Sequence, residues 1–195
     1  DVSKHRAGGG GAHILPSGRG IGGVLFGLEG EKDDCNPFLP GLLPGVLPAG
    51  SYRFANAPHD PRLAALAFAL GAYRFTRYRK TAKNNRDKTV RLVLPDGVDG
   101  DDLSRIAEGM TLARDLINTP ANDMGPADLE AAARALAKQH GAKFRSIVGD
   151  ALLKQNFPLI HAVGRAADAK RAPRLIELRW GKQTHPKVTL VGKGV

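Results

Sequence analysis

Lys187-Val188-Thr189-Leu190-Val191-Gly192-Lys193-Gly194-Val195 closes the sequence and decides how the rest is read. Val188, Leu190 and Val191 form a short apolar run with β-branched side chains, the composition of a buried strand. The run breaks into Gly192-Lys193-Gly194, two glycines around one ammonium group. Glycine lets the backbone turn and come close to another group. The pattern therefore predicts a strand that opens into a tight loop carrying Lys193. Ligands of open α/β sheets bind in the crevice outside the carboxyl ends of strands, which makes Lys193 a candidate binding residue. A functional loop is expected to begin at this point, so the sequence is expected to be part of a longer protein.

A second informative stretch lies upstream, Ala113-Arg114-Asp115-Leu116-Ile117-Asn118-Thr119-Pro120-Ala121-Asn122-Asp123-Met124. Together the two carry a family resemblance. V-G-K-G-V after an apolar strand resembles the start of V-G-K-G-[IV]-T-F-D-[ST]-G-G, a signature of the leucyl aminopeptidase (cytosol aminopeptidase) family of dinuclear metallopeptidases. Residues 114–122 are similar to the family's R-[DE]-L-x-N-x-P-[AS]-N segment, where a linking helix enters the catalytic domain. Leu47-Pro48-Ala49-Gly50-Ser51-Tyr52-Arg53 and Leu70-Gly71-Ala72-Tyr73-Arg74-Phe75-Thr76-Arg77-Tyr78 resemble the amino-terminal domain of bacterial members. The resemblance covers most of the chain from about Leu47 onward, and it rests on the ordered set rather than on V-G-K-G-V alone.

The resemblance implies an α/β fold: an amino-terminal α/β domain at 1–100, a linking helix at 101–118, and at 119–195 the first part of an α/β catalytic domain with a mixed sheet. It implies a cytoplasmic, homohexameric enzyme that releases amino-terminal, leucine-type residues from peptides with two divalent metal ions, Mn²⁺ or Zn²⁺. In that family the lysine of V-G-K-G, here Lys193, is a metal ligand. An ammonium has no lone pair to donate, so Lys193 would have to bind as the neutral amine. The family's carboxylate ligands, its gem-diolate-stabilising lysine and arginine, and its bicarbonate site all lie past this point. No catalytic residue is therefore expected within these residues, and the 195-residue chain alone is expected to be inactive. The other reading of Lys193, from spacing alone, is a solvated loop lysine.

Composition sets looser bounds. The chain is 195 residues long, enough for one domain or two small ones. Its 42% hydrophobic content suits a globular protein, while 6% aromatic content limits the large anchors of a core. No run approaches the roughly 18 apolar residues of a membrane helix. One cysteine, Cys35, excludes an internal disulfide and fits a reducing compartment. A formal charge of +10 suggests an anionic partner such as nucleic acid, although a carboxylate-rich remainder would bring a longer protein back toward neutral.

Taken in order, Asp1–Gly11 holds four consecutive glycines and reads as flexible. His13–Leu15 and Val24–Phe26 read as short strands around a glycine-rich turn. Within it Gly18-Arg19-Gly20-Ile21-Gly22-Gly23 satisfies G-x-G-x-x-G, but a dinucleotide loop needs a helix opening at the last glycine, and the following residues are strand-like; a hairpin is preferred. Residues 35–50, with four prolines and three glycines, predict an irregular connection or an edge. Asp60-Pro61 predicts a capped helix start, and Leu63, Leu66, Ala67 and Leu70 repeat at helical spacing.

Tyr73, Phe75 and Tyr78 then alternate with Arg74, Arg77, Arg79 and Lys80, followed by Lys83, Arg86 and Lys88. Such a basic, aromatic helix end could clamp single-stranded nucleic acid by stacking, which supplies the rival function of a nucleic-acid-binding module at 73–88. The preferred reading is an amphipathic helix end with cations near its C-terminus. Thr89–Leu94 predicts a strand. Asp101 or Asp102 is expected to cap a helix whose face carries Leu103, Ile106, Met110, Ala113 and Ile117. Pro126 opens a helix that Gly141 stops. Lys143–Val148, His161–Val163 and Leu175–Trp180 read as strands, so alternation of strands and helices points to α/β layers. The histidines at 5, 13, 59, 140, 161 and 185 form no H-E-x-x-H and no helical pair, leaving a histidine-based zinc site unsupported.

Overall fold

The computed structural model describes residues 11–18, 20–28, 36–56, 58, 60–79 and 89–194. The chain is α/β and divides into two compact units, Asp1–Asp115 and Leu116–Val195.

The first unit opens with strands β1 (Ala12–Ser17) and β2 (Gly20–Phe26), an antiparallel hairpin with His13 opposite Leu25 and Ile14 opposite Val24. Gly20, Gly22 and Gly23 lie within β2, with no helix opening at Gly23, so the G-x-G-x-x-G match belongs to a hairpin. Its Arg19 lies outside the described residues, as do most of the 1–11 stretch and Cys35. The proline-rich connection is more regular than expected. It forms a 3-10 turn at Leu39–Leu42 and a short helix α1 (Leu43–Val46). Pro40 and Pro44 stand at the starts of these turns, where a missing N–H leaves no helical bond unmade.

Strand β3 (Gly50–Tyr52) pairs in parallel with β4 (Val90–Leu92). Parallel neighbours need a crossover, and the segment between them supplies helix α2 (Pro61–Gly71). The Asp60 carboxylate accepts the Leu63 N–H at 2.8 Å, and Pro61 occupies the first turn. Ala64, Ala65, Leu66, Ala67 and Phe68 are all buried, so α2 is covered on more than one side. Phe68 packs with Leu43 and Leu47, while Ala65 and Leu66 pack with Leu103. Burying a Leu or Phe side chain contributes roughly 1.5–3 kcal/mol, which makes this helix the centre of the first unit's core.

α2 stops at Gly71, earlier than the aromatic–basic pattern implies. Arg74 donates to the carbonyls of Gly71 (2.8 Å) and Tyr73 (2.7 Å), and Arg114 donates to that of Leu70 (2.8 Å). These guanidinium groups take over the carbonyls that a further turn would have used. Tyr73, Phe75, Arg77, Tyr78 and Arg79 therefore lie beyond the helix rather than on its end. Lys80, Lys83, Arg86 and Lys88 lie outside the described residues.

Helix α3 (Gly100–Asn118) is capped by Asp99, two or three positions earlier than the expected Asp101 or Asp102. Asp99 Oδ1 accepts the N–H groups of both Asp101 and Asp102 at 3.0 Å, leaving those two aspartates in the first turn, where negative charge suits the helix dipole. Of its apolar face, Leu103 is buried and Ile106 packs beside it, whereas Met110 and Ile117 are exposed.

The second unit contains α4 (Pro126–Gln139), β5 (Lys143–Val148), α5 (Ala151–Lys154), α6 (Pro158–Gly164), a 3-10 turn at Ala169–Arg171, and β6 (Arg174–Arg179). Asp128 Oδ2 accepts the Gly125 N–H at 2.9 Å at the start of α4. Gly141, at φ +64°, ends it in the left-handed region that favours glycine. β5 and β6 are antiparallel, with Lys143 opposite Arg179 and Val148 opposite Arg174. Ala137, Ile147 and the fully buried Leu152 form the unit's interior.

Two expected strands are absent. His161–Val163 falls inside α6, because Pro158 opens a helix there and a run of three residues has no period of its own. Val188–Val191 adopts no regular structure, and Val188, Leu190 and Val191 are 84%, 92% and 93% exposed. A strand exists only through a ladder partner; among the described residues β5 and β6 pair with each other and this run pairs with neither.

Candidate metal-binding loop

The Gly192-Lys193-Gly194 loop sits at the end of this exposed run. The Lys193 side chain is in solvent, and its Nζ donates to the carbonyl of Gly194 at 2.9 Å. A hydrogen bond to an adjacent residue's carbonyl restrains a long side chain little, so the amine is free to be redirected. The two glycines differ. A β-carbon at Gly192 would meet nothing within 4 Å, whereas one at Gly194 would overlap Cδ2 of Leu129 in the first turn of α4. Gly194 is thus pressed against Leu129, and its missing side chain is what permits the approach.

Structural zinc takes four donors and calcium six to eight. Among the described residues no group of three or more His, Cys, Asp or Glu side chains is arranged to hold such an ion. Among the described residues Lys193 is exposed and held by the Gly194 carbonyl alone, and these residues do not bring a donor set for such an ion together around it. His161 Nε2 lies 3.0 Å from Asp150 Oδ1, an isolated pair. His5 and His59 lie outside the described residues.

The stretch that precedes α4 has structural work. In the first unit Arg114 lies over the Tyr73 ring at 5.3 Å, and Asp115 Oδ1 accepts the Tyr73 hydroxyl at 2.7 Å. In the second, Thr119 is buried, the Pro120 carbonyl accepts the N–H groups of Asp123 and Met124 at 2.9 Å, and Arg171 donates to the carbonyls of Ala121 (2.8 Å) and Asn122 (3.1 Å). One turn further on, Glu130 bonds Arg174 at 2.6 Å and Arg134 at 2.7 Å. Burial alone would push the Glu130 carboxyl up, but the hydrogen bonds from Arg134 and Arg174 outweigh it and hold it below the usual glutamate value. The buried Ser146 hydroxyl, without a partner at full hydrogen-bond geometry, adds to this from nearby. Leu129, Glu130 and Arg171 carry no motif and could not be singled out in the sequence, since Gly194 near Leu129, Arg174 at Glu130 and the Ala121 and Asn122 carbonyls at Arg171 all lie 44 or more positions away.

Residues 6–95 match the M17 aminopeptidase N-terminal domain, and residues 111–195 match the catalytic domain of the cytosol aminopeptidase family, through the Lys193 loop. The chain belongs to the cytosol aminopeptidase family. A probable cytosol aminopeptidase of Streptomyces griseus is 33% identical over 183 residues, covering 78% of this chain and 33% of that protein. The crystal structure of the Coxiella burnetii cytosol aminopeptidase matches with a TM-score of 0.78 at 34% identity, over 95% of this chain and 39% of that one. The bottromycin maturation enzyme BotP, solved in complex with Mn, matches with a TM-score of 0.70 over 89% of this chain and 40% of its own. At 24% identity that last likeness is one of fold. The chain thus spans about a third to two fifths of the length of the family members it matches. No helix among the described residues is long and apolar enough to cross a membrane.

Proposed function

We propose that this chain is the amino-terminal part of a metal-dependent aminopeptidase that releases amino-terminal residues, leucine-type, from peptides. The observation that carries the reading is the catalytic-domain match running through Gly192-Lys193-Gly194. Residues 1–100 would form the amino-terminal domain, 101–118 the linking helix and 119–195 the first part of the catalytic domain. Two divalent ions, Mn²⁺ or Zn²⁺, would polarise the scissile carbonyl and provide a hydroxide at neutral pH. Lys193 would give up its proton and present a neutral amine to one of them, with the other donors supplied by carboxylates outside these residues. The Lys193 stem, in solvent and held by one local bond, can swing to meet an ion without disturbing the fold. A homohexamer in the cytoplasm is proposed on the same family grounds.

Leucine-amide hydrolysis with added Mn²⁺ tests this reading. The full-length protein is expected to turn over and to stop when the ion is chelated, while residues 1–195 alone are expected to stay at the level of a metal-free control. Turnover by residues 1–195 well above that control would overturn the assignment of Lys193 as one donor of a larger set.

A further inference from the structure

We propose that Leu129 is a positioning residue for Lys193: its side chain is the seat on which the lysine loop rests. The inference rests on the reading of Lys193 as a metal-binding amine and adds the residue that places it. Among the described residues the Lys193 side chain is held only by the adjacent Gly194 carbonyl. The Gly194 backbone, by contrast, lies so close to Leu129 that a methyl group there would overlap Cδ2 and stand 3.9 Å from Cγ. A β-carbon at Gly192 would meet nothing within 4 Å among the described residues, so among them the contact at Gly194 is the one that locates the loop.

Leu129 itself is held firmly. Its neighbour Asp128 is tied to the Gly125 N–H, and its other neighbour Glu130 is tied to Arg174 of β6 and Arg134 of α4. Arg171 fixes the carbonyls of Ala121 and Asn122 just before the helix. The first turn of α4 is therefore a rigid platform beneath a loose loop. A displaced seat shifts the backbone from which the Lys193 stem reaches, so the amine meets an ion only through less favourable rotamers, and the loss reads as metal affinity although Leu129 touches no ion.

The test uses the full-length protein with Gly194→Ala, Leu129→Ala, the two combined, and Gly192→Ala. Two quantities are read: Mn²⁺ affinity by chelator competition, and the acylation rate of Lys193 in the metal-free protein, located by peptide mapping. Thermal melts confirm that each variant is folded. Gly194→Ala is expected to weaken Mn²⁺ binding about tenfold, the scale of a lost supporting contact, and to change the acylation rate. Adding Leu129→Ala should bring both quantities most of the way back to the parent, because the smaller side chain makes room for the methyl. Gly192→Ala should match the parent. Strictly additive effects of the two substitutions, or a Gly192→Ala as damaging as Gly194→Ala, would overturn the proposal. Coupling in acylation alongside unchanged Mn²⁺ affinity in Lys193→Ala would support the seat and instead overturn Lys193 as a ligand.

Discussion

The backbone of Gly71 at the end of α2 crosses that of Gly41 in the 3-10 turn so closely that a β-carbon on Gly71 would overlap the Gly41 carbonyl oxygen. The same β-carbon would stand 2.6 Å from the Gly41 carbonyl carbon, and one on Gly41 would stand 2.9 Å from the Ala67 carbonyl oxygen. These are backbone atoms, which cannot rotate aside. Gly71→Ala is therefore expected to cost about 3 kcal/mol, the upper part of the range for overpacking. Gly109, inside α3, meets nothing within 4 Å of an added β-carbon. There alanine should stabilise by about 0.5–1 kcal/mol through helix propensity. Urea denaturation of the two variants checks both signs.

Glu130 gives a pH-dependent prediction. Its carboxyl is held below the usual glutamate value in the folded state, chiefly against burial by the bonds from Arg134 and Arg174. A depressed folded value means the stabilisation is fully present above the unfolded value and lost as pH falls through the folded one. Unfolding of the second unit should thus become easier on acidification below about pH 4.5, the ordinary glutamate range. Glu130→Gln should flatten that acid limb. At neutral pH Glu130→Ala should cost about 3 kcal/mol, because it leaves the mostly buried Arg174 without its carboxylate. Thermal melts from pH 3 to 7 read both effects.

How much was legible depends on how local each cause is. The Asp60 cap with Pro61, the Gly141 stop and the Lys143–Val148 strand are set by residues within one turn or one strand of each other, and all three stand in the structure. The G-x-G-x-x-G pattern reads as a hairpin because strand-like residues follow it where a dinucleotide loop needs a helix, and β1–β2 bears that out. His161–Val163 reads as a strand but lies in a helix, because three residues fit either equally well and Pro158 tips the balance. Val188–Val191 has the composition of a strand, but pairing is a property of neighbours that composition does not contain. In the loop, Lys193 was visible as a motif, while Leu129 beneath it was not, because its contact with Gly194 spans most of the second unit's sequence.

The aromatic–basic stretch after α2 is poorly suited to stack nucleic-acid bases. Tyr73 is engaged by Asp115 through its hydroxyl and by Arg114 over its ring, and Arg77 lies over Tyr78, so these faces are already in use. Stacking contributes about 1–3 kcal/mol per base where aromatic faces are available. Binding to single-stranded DNA should therefore be nonspecific and fade by moderate salt, as expected for phosphate contacts alone. Tyr73→Phe and Tyr78→Phe should leave it unchanged. A salt-resistant complex lost in Tyr73→Ala or Tyr78→Ala would show that stacking does contribute.

The most direct measurement concerns Lys193 in the full-length protein: metal content and kcat/KM of Lys193→Arg beside Lys193→Ala from neutral to alkaline pH. A guanidinium keeps positive charge and reach but stays protonated and has no lone pair to give. It would also set a fixed cation against a dication, a repulsion that grows as water is excluded. Lys193→Arg is therefore expected to lose bound metal and activity at least as completely as Lys193→Ala, and metal affinity of the parent is expected to rise with pH as the amine sheds its proton. Near-normal metal occupancy and activity in Lys193→Arg would show instead that Lys193 is a solvated loop residue and not a ligand.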